Sequence, residues 1–439
     1  MPLVTHPGVD RRTARDVFPG HRSLRRLQGD TVRNFMPRRA VAAAALAAFM
    51  GAVAAPSIAT AQDDSVTFLG IWPFSGPYAD LGPILNSGAE VAFENVGGEI
   101  AGKTINYITR DSETEAGAAT RRAQAAIETD GVQYMIGPWS SGVALALTEV
   151  SKNNKVPYFF SGGSEDISGK KCHRYAFQWA ANAWTAMDAN LKAFKELHPD
   201  AKSIYLFVVD YAFGWSLQKY VEELAPKYGL EVVGADRHPL GNREFSTFIT
   251  KAMAANPDAV FMINFGLDAI SAVRQLNNFG FAPAKPVIMS WSSGVEELVQ
   301  LDPAMRENLI VGTNYYWTID NPENKDFVEK YKAKNDGVPP GYGPAAGYGL
   351  ASMFLAGMEK AGSTEPQAVV EALEGMEGDN FVGHFKIDAK THQTVRPYFV
   401  LKTKPESEME NEYDFGEIVL TSDTPQPAEM NGCADIGGF

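Results

Sequence analysis

From residue 65 onward the sequence alternates short apolar runs with amphipathic stretches of helical length, and this alternation leaves few architectures open. An apolar run, one helix and another apolar run require a right-handed crossover, and repeating the unit builds a mostly parallel sheet covered by helices. The spacing predicts strands over 66–72, 104–109, 132–136 and 157–160, with helices over 84–95, 115–129 and 143–153 between them. The pattern breaks over 167–181, where Gly, two Lys and Cys172 fall without a clear period. A second set then begins with a helix ending near 197. It continues through strands over 203–209, 231–233, 259–264 and 286–289, with helices over 215–227, 245–255 and 268–279. Beyond 310 the expected elements are helices over 325–335 and 366–375, one helix ending at 361, and strands over 383–387 and 398–403. The tail over 405–439 is acidic, contains Pro and is expected to be extended. The fold class is therefore α/β, with two doubly wound units of mostly parallel sheet and no residue-level repeat between them.

Two of the strand ends carry the chemistry. Met135-Ile136-Gly137-Pro138-Trp139-Ser140-Ser141-Gly142 is an apolar strand running into a small-residue turn and a helix. Tyr158-Phe159-Phe160-Ser161-Gly162-Gly163-Ser164 repeats the arrangement on the next strand. At the carboxyl end of a parallel strand a ligand meets free backbone N–H groups and the positive end of the following helix. Ser is also a common helix N-cap in any protein, so one such turn says little; two on neighbouring strands make a cradle for a small anion such as a carboxylate. Trp72, Tyr78, Trp139, Trp215, Trp291 and Tyr315 fall at or just past strand ends, and two or more of them on the pocket wall would suit a ligand with an apolar or aromatic body.

Ahead of the first strand, Arg38 and Arg39 precede an alanine-rich apolar run over 40–55, and Ala59-Thr60-Ala61 supplies a small-x-small cleavage signature before Gln62. That is the layout of a secretory signal peptide; a membrane-spanning helix would need roughly 20 apolar residues. No Cys follows the cleavage site, so no lipid anchor is expected there, and Arg-rich residues 1–35 read as lying upstream of a start at Met36 or as an extended basic region. The whole chain has 39 Lys and Arg and 53 Asp and Glu; residues 1–61 hold nine Arg and three Asp, so 30 basic and 50 acidic residues remain, a net charge of −20. Such a surface repels nucleic acid and anionic lipid. Cys172 and Cys433 are an even pair in an exported chain and are expected to form a disulfide, with two free thiols as the alternative. No CxxC, HExxH or Cys/His cluster is present, so no metal and no cofactor is expected. His173, His198, His238, His384 and His392 stand among polar residues and read as surface histidines. Gly137-Pro138-Trp139-Ser140-Ser141 misses the spacing of a nucleophile elbow, and Gly341-Tyr342-Gly343-Pro344-Ala345-Ala346-Gly347 misses that of a dinucleotide loop and reads as a loop opening a helix. An enzyme is not expected.

Taken in order, Phe74-Ser75-Gly76-Pro77 with Gly82, Ile136-Gly137-Pro138 with Ser140-Ser141, Val156-Pro157, Phe160-Ser161-Gly162-Gly163-Ser164 and Asp210-Tyr211-Ala212-Phe213-Gly214 resemble the periplasmic substrate-binding proteins of branched-chain amino acid ABC transporters, over essentially the whole mature chain. The resemblance implies two α/β lobes joined by three hinge crossings: lobe I over 65–179 plus 313–396, lobe II over 180–312, and a return crossing and tail over 397–439. It implies a monomer in the periplasm that binds a small ligand in the interlobe cleft and docks on ABC permease subunits. It also implies that the ligand carboxylate is held by Ser141 and by Gly163 with Ser164, that Phe213 closes over the ligand, and that Phe265 or Gly266 falls near another aromatic position; Gly142, Trp139 and Tyr78 join the site as residues of the same strand ends. In the family an acidic residue after the strand over 287–289 pairs with a ligand ammonium; here Ser292 stands at that place. Either Asp210, Asp268 or Glu296 takes over that role, or the ligand is an aromatic or aliphatic carboxylate without an ammonium. A ligand-sensing module of the same fold is a further alternative to a transport component. N-terminal sequencing of the exported protein is expected to begin at Gln62; a chain beginning at or before Met36 would contradict the processing site.

Overall fold

The computed structural model describes residues 64–439; the basic segment, the apolar run and the cleavage signature lie outside the described residues. The first sheet is centred on β1 (Ser65–Trp72), whose near-continuous apolar run is buried on both faces, as a central parallel strand requires. It is followed by α1 (Gly82–Asn95), β2 (Glu99–Ile100), β3 (Lys103–Asp111), α2 (Ala116–Asp130), β4 (Tyr134–Ile136), α3 (Ser141–Asn154), β5 (Tyr158–Phe160) and β6 (Ala176–Gln178). The strand order is β2-β3-β1-β4-β5-β6. β1 runs parallel to β3 in register from Ser65 opposite Thr104 to Trp72 opposite Asp111. The carboxyl ends of β1, β4 and β5 therefore share one edge of the lobe.

The second sheet is built from the segment that follows. It comprises α4 (Ala183–Leu197), β7 (Ser203–Val209), α5 (Ala212–Leu224), β8 (Glu231–His238), α6 (Ser246–Ala255), β9 (Ala259–Ile263), α7 (Leu267–Asn278), β10 (Val287–Ser292), α8 (Val295–Leu298), α9 (Pro303–Arg306) and β11 (Leu309–Thr313). The chain then returns to the first lobe with α10 (Pro322–Lys334), α11 (Tyr342–Ala361), α12 (Pro366–Leu373) and a small sheet of β12 (Glu377–Asn380), β13 (Gly383–Ile387) and β14 (Thr394–Val395). It finishes with β15 (Tyr398–Thr403) and β16 (Gly416–Ser422), which complete the second sheet in the order β16-β15-β11-β10-β9-β7-β8.

Six strands, β2, β6, β11, β12, β14 and β16, are not expected from the sequence. β6 lies inside the stretch without a period, as three residues buried on both sides by β5 and its surroundings. β11 is an edge to the parallel core that β15 covers antiparallel, Ile310 opposite Lys402. β16 falls in the tail read as merely extended, and pairs antiparallel with β15 from Tyr398 opposite Ser422. Residues 398–403 and 416–422 are thus strands of the second sheet. Three histidines are a correction as well: His173, His238 and His392 are buried rather than on the surface. His392 stacks flat on Phe177 at 4.1 Å, a contact made by residues distant in sequence, so polar neighbours along the chain did not foretell it.

The lobes exchange the chain at three places, and these are bonded to one another. The N–H of Ala181 in the first crossing donates to Asn314 Oδ1 in the second at 2.8 Å. Gln393, just ahead of the third, donates to the carbonyl of Ala180 at 2.9 Å, and the Arg396 guanidinium donates to the Asn314 carbonyl. Cys172 and Cys433 form a disulfide with Cα atoms 5.6 Å apart. It fastens the segment after β16, which is largely exposed, to the loop between β5 and β6. Since that segment contributes little to either core, Cys433→Ser is expected to leave the thermal midpoint of the body nearly unchanged while the residues after Ser422 become cleavable. Limited proteolysis read by mass spectrometry checks this; an uncleaved tail would contradict it.

Candidate functional site

At the end of β4 the chain turns through Gly137-Pro138-Trp139-Ser140 into α3, whose first residue is Ser141. At the end of β5 it runs through Ser161-Gly162-Gly163-Ser164. The two turns meet: the N–H of Ser164 donates to Ser141 Oγ at 3.2 Å. The second turn is braced from behind, where Gln178 Nε2 donates to the Gly162 carbonyl at 2.8 Å and the Tyr342 hydroxyl to the Ser161 carbonyl at 3.0 Å. A Cβ on Gly142 would stand 3.8 Å from Tyr211, the residue that caps α5 in lobe II.

Lobe II faces these turns with aromatic side chains. Trp139, Ser161 and Gly163 from lobe I and Tyr211, Phe213, Phe265 and Trp291 from lobe II line a narrow, nearly closed pocket. Trp139 packs on Phe265 at 4.8 Å, Phe213 edge-on against Trp291 at 5.6 Å, and Trp139 on Tyr342 at 4.6 Å. A Cβ on Gly163 would stand 3.0 Å from Trp291 and 3.1 Å from Phe213, so a larger residue there would press the lobe II wall back. Polar contacts cross the same gap. Ser216 Oγ donates to Ser164 Oγ at 3.2 Å, the Tyr78 and Tyr211 hydroxyls lie 3.0 Å apart, and Lys219 reaches Glu165 at 3.1 Å.

Of the residues singled out in the sequence, Trp139, Gly163, Phe213 and Phe265 line the pocket. Ser141, Gly142 and Ser164 form the turn pair beside it, and Tyr78 meets Phe265 edge-on at 6.2 Å. Ser292 is fully buried at the end of β10 and donates to Glu297 at 2.5 Å. The three acids proposed as ammonium partners are committed elsewhere. Asp210 points outward, accepting from Trp215 Nε1 at 2.8 Å. Asp268 accepts from the Gly241 N–H at 2.9 Å and pairs with Arg243. Glu296 accepts from the Gly341 N–H at 2.8 Å, on the other side of the interlobe gap at the start of α11. Among the rim aromatics, Trp139 and Trp291 face the pocket, Trp72 and Tyr315 belong to the core, and Trp215 is 49% exposed.

Sequence reasoning missed Glu297. Its carboxylate is buried, takes the Gly266 N–H and the Ser292 hydroxyl, and so sits directly behind Phe265. Gly294, with φ of 74°, turns the chain between Ser292 and α8, and that turn decides which of the two adjacent glutamates faces inward; no spacing rule reports it. Burial pushes the Glu297 carboxyl up to about 8 and Glu296 to about 7, against an ordinary 4.5. A carboxyl with a raised folded pKa binds more protons folded than unfolded, so stability is lost as pH rises from the unfolded value through the folded one. The window here is pH 4.5 to about 8. Glu297→Gln is expected to melt at nearly the wild-type temperature at pH 5 and several degrees above it at pH 8; a difference independent of pH would contradict a buried, protonated Glu297.

The family described as periplasmic binding protein matches residues 65–408. A Leu/Ile/Val-binding protein homolog 7 from Brucella melitensis is 26% identical over 345 residues, 72% of this chain and 84% of that one. The solved structure of an amino acid ABC transporter substrate-binding protein from Pseudomonas fluorescens superposes with a TM-score of 0.80 at 29% identity, covering 84% of this chain and 99% of that one. A solute-binding protein of an ABC transporter from Rhodopseudomonas palustris, in complex with 3,4-dihydroxy benzoic acid, superposes with a TM-score of 0.75 at 22% identity over 84% of this chain and all of that one, a likeness of fold.

Proposed function

The chain belongs to the periplasmic binding protein family, and from that premise we propose that it is the periplasmic solute-binding component of an ABC importer, exported by its signal peptide and holding a small carboxylate-bearing ligand of the branched-chain or other apolar amino acid class between its lobes. The observation that carries this reading is the meeting of the two turns, Ser164 N–H on Ser141 Oγ, opposite an aromatic wall supplied by the other lobe. Ser141 opens a helix of 14 residues, where N–H groups lack intrahelical acceptors and the helix dipole favours negative charge. A ligand carboxylate there would draw on the hydroxyls of Ser141 and Ser164, each charge-assisted bond contributing roughly 1.5–3 kcal/mol. Trp139, Phe213, Phe265 and Trp291 would take the apolar body.

The Brucella relative is named for binding Leu, Ile and Val and the Pseudomonas structure for an amino acid transporter, and both support an amino acid over the ammonium-free alternative. Glu297 is the acid placed to answer the ammonium: a cation beside Gly266 would hold it ionised and displace its proton. A ligand touching both lobes shifts an open population toward the closed arrangement, and the closed form would dock on permease subunits as a monomer. No helix among the described residues is long and apolar enough to cross a membrane, which fits a partner that meets the permease from outside the bilayer. The reading needs no cofactor and no covalent step.

Titration calorimetry of residues 62–439 with leucine, phenylalanine, leucinamide and 4-methylpentanoate tests it. Leucine or phenylalanine is expected to bind, with leucinamide much weaker, and Ser141→Ala is expected to weaken binding by about tenfold or more, the loss of one charge-assisted bond. Unchanged affinity in that variant would remove the carboxylate from this turn, and tighter binding of 4-methylpentanoate than of leucine would favour the ammonium-free class.

A further inference from the structure

The hinge interior holds one charged side chain that nothing above uses. Arg396 stands on the third crossing, is 1% exposed, donates to the Asn314 carbonyl in the second, and lays its guanidinium over the Trp179 ring of the first at 4.0 Å. One side chain thus touches all three connections between the lobes. Its Nε and Nη1 are buried without an acceptor, and the Trp179 Nε1 and Asn314 Nδ2 beside it are likewise unpartnered. Among the described residues no carboxylate pairs with it. Burial pulls the Arg396 guanidinium pKa down to about 9, and among the described residues only the Tyr342 phenol favours its charge. A buried cation without a counter-ion is costly, so its presence at the hinge calls for a compensating charge.

The ligand pocket lies two stacked rings away. Trp179 stacks parallel to Tyr342 at 6.3 Å; Tyr342 in turn packs on Trp139 and Trp291 and bonds to Ser161, and these last three line the pocket. We propose that Arg396 makes closure of the lobes conditional on an anionic ligand: closing buries the guanidinium at the hinge, and the ligand carboxylate supplies the counter-charge that the protein withholds. This rests on the carboxylate reading of the site. It assigns to Arg396 a selectivity that the serine turns alone do not provide, because hydroxyls and N–H groups also accept a neutral amide as a hydrogen-bonding partner. Open lobes rehydrate the hinge; closed lobes around a neutral molecule leave the cation uncompensated.

Three forms of residues 62–439 test the proposal: wild type, Arg396→Met and Arg396→Lys, with circular dichroism to show that each is folded. The leucine-to-leucinamide affinity ratio is expected to fall by roughly tenfold in Arg396→Met, the scale of a unit charge roughly 10 Å away at an effective interior permittivity, and to be largely kept in Arg396→Lys. An unchanged ratio in Arg396→Met, or an equal loss in both variants, overturns the role of charge. Small-angle scattering without ligand gives an independent reading: wild type is expected to be more extended than Arg396→Met, and equal radii of gyration overturn the proposal. If no form binds leucine, the amino acid reading fails while the scattering comparison still decides what Arg396 does.

Discussion

Everything in the cleft depends on how closely the aromatic wall of lobe II seats on the Ser161–Ser164 turn of lobe I. Gly163 sets that approach, because any side chain there would meet Trp291 and Phe213. With the wall seated, Trp139 reaches Phe265, Ser216 reaches Ser164 and the Tyr78 and Tyr211 hydroxyls meet. The pocket is therefore shared between the lobes, and neither sheet alone contains it. A ligand held there gains contacts only when the lobes are together, which is the thermodynamic requirement for a ligand to drive closure.

Charge is distributed in a way that fits this geometry. Residues 62–439 carry 30 basic and 50 acidic residues, yet the pocket lining carries no ionised group. The buried ionisable groups stand behind it on two sides: Glu297 and Glu296 under the lobe II wall, with their protons held by burial, and Arg396 at the hinge without a carboxylate partner. Acid on one side and base on another suits a ligand with both an ammonium and a carboxylate, and in a low-dielectric interior such charges act beyond hydrogen-bond reach. Disulfide-fastened residues after β16 lie along the hinge, where Asn182 bonds to Gln426 and Thr185 to the Thr424 carbonyl.

Much of this architecture was legible along the chain. Strands such as Ser203–Val209 and Tyr398–Thr403 are marked by runs rich in β-branched and aromatic residues, and they stand where the spacing placed them. The turns at Ser141 and Ser164 were visible because the parallel β–α rule brings consecutive strand ends together. What was illegible depends on long-range context. β6 is three residues long and owes its strand state to pairing with β5; β16 is half exposed and owes its own to β15. Glu297 was hidden behind a glycine turn, and Asp210, which has the right sequence position, faces away because Trp215 and Arg237 hold it outside. Arg396 looked like an ordinary basic residue before a proline; only the folding together of three distant crossings buries it.

A crystal structure of residues 62–439 grown with a bound apolar amino acid tests the central claim most directly. The account predicts the carboxylate on Ser141 and Ser164, the apolar body among Trp139, Phe213, Phe265 and Trp291, and the ammonium toward Gly266 and Glu297. A ligand lodged outside the interlobe pocket, or turned with its carboxylate toward Glu297, would contradict it.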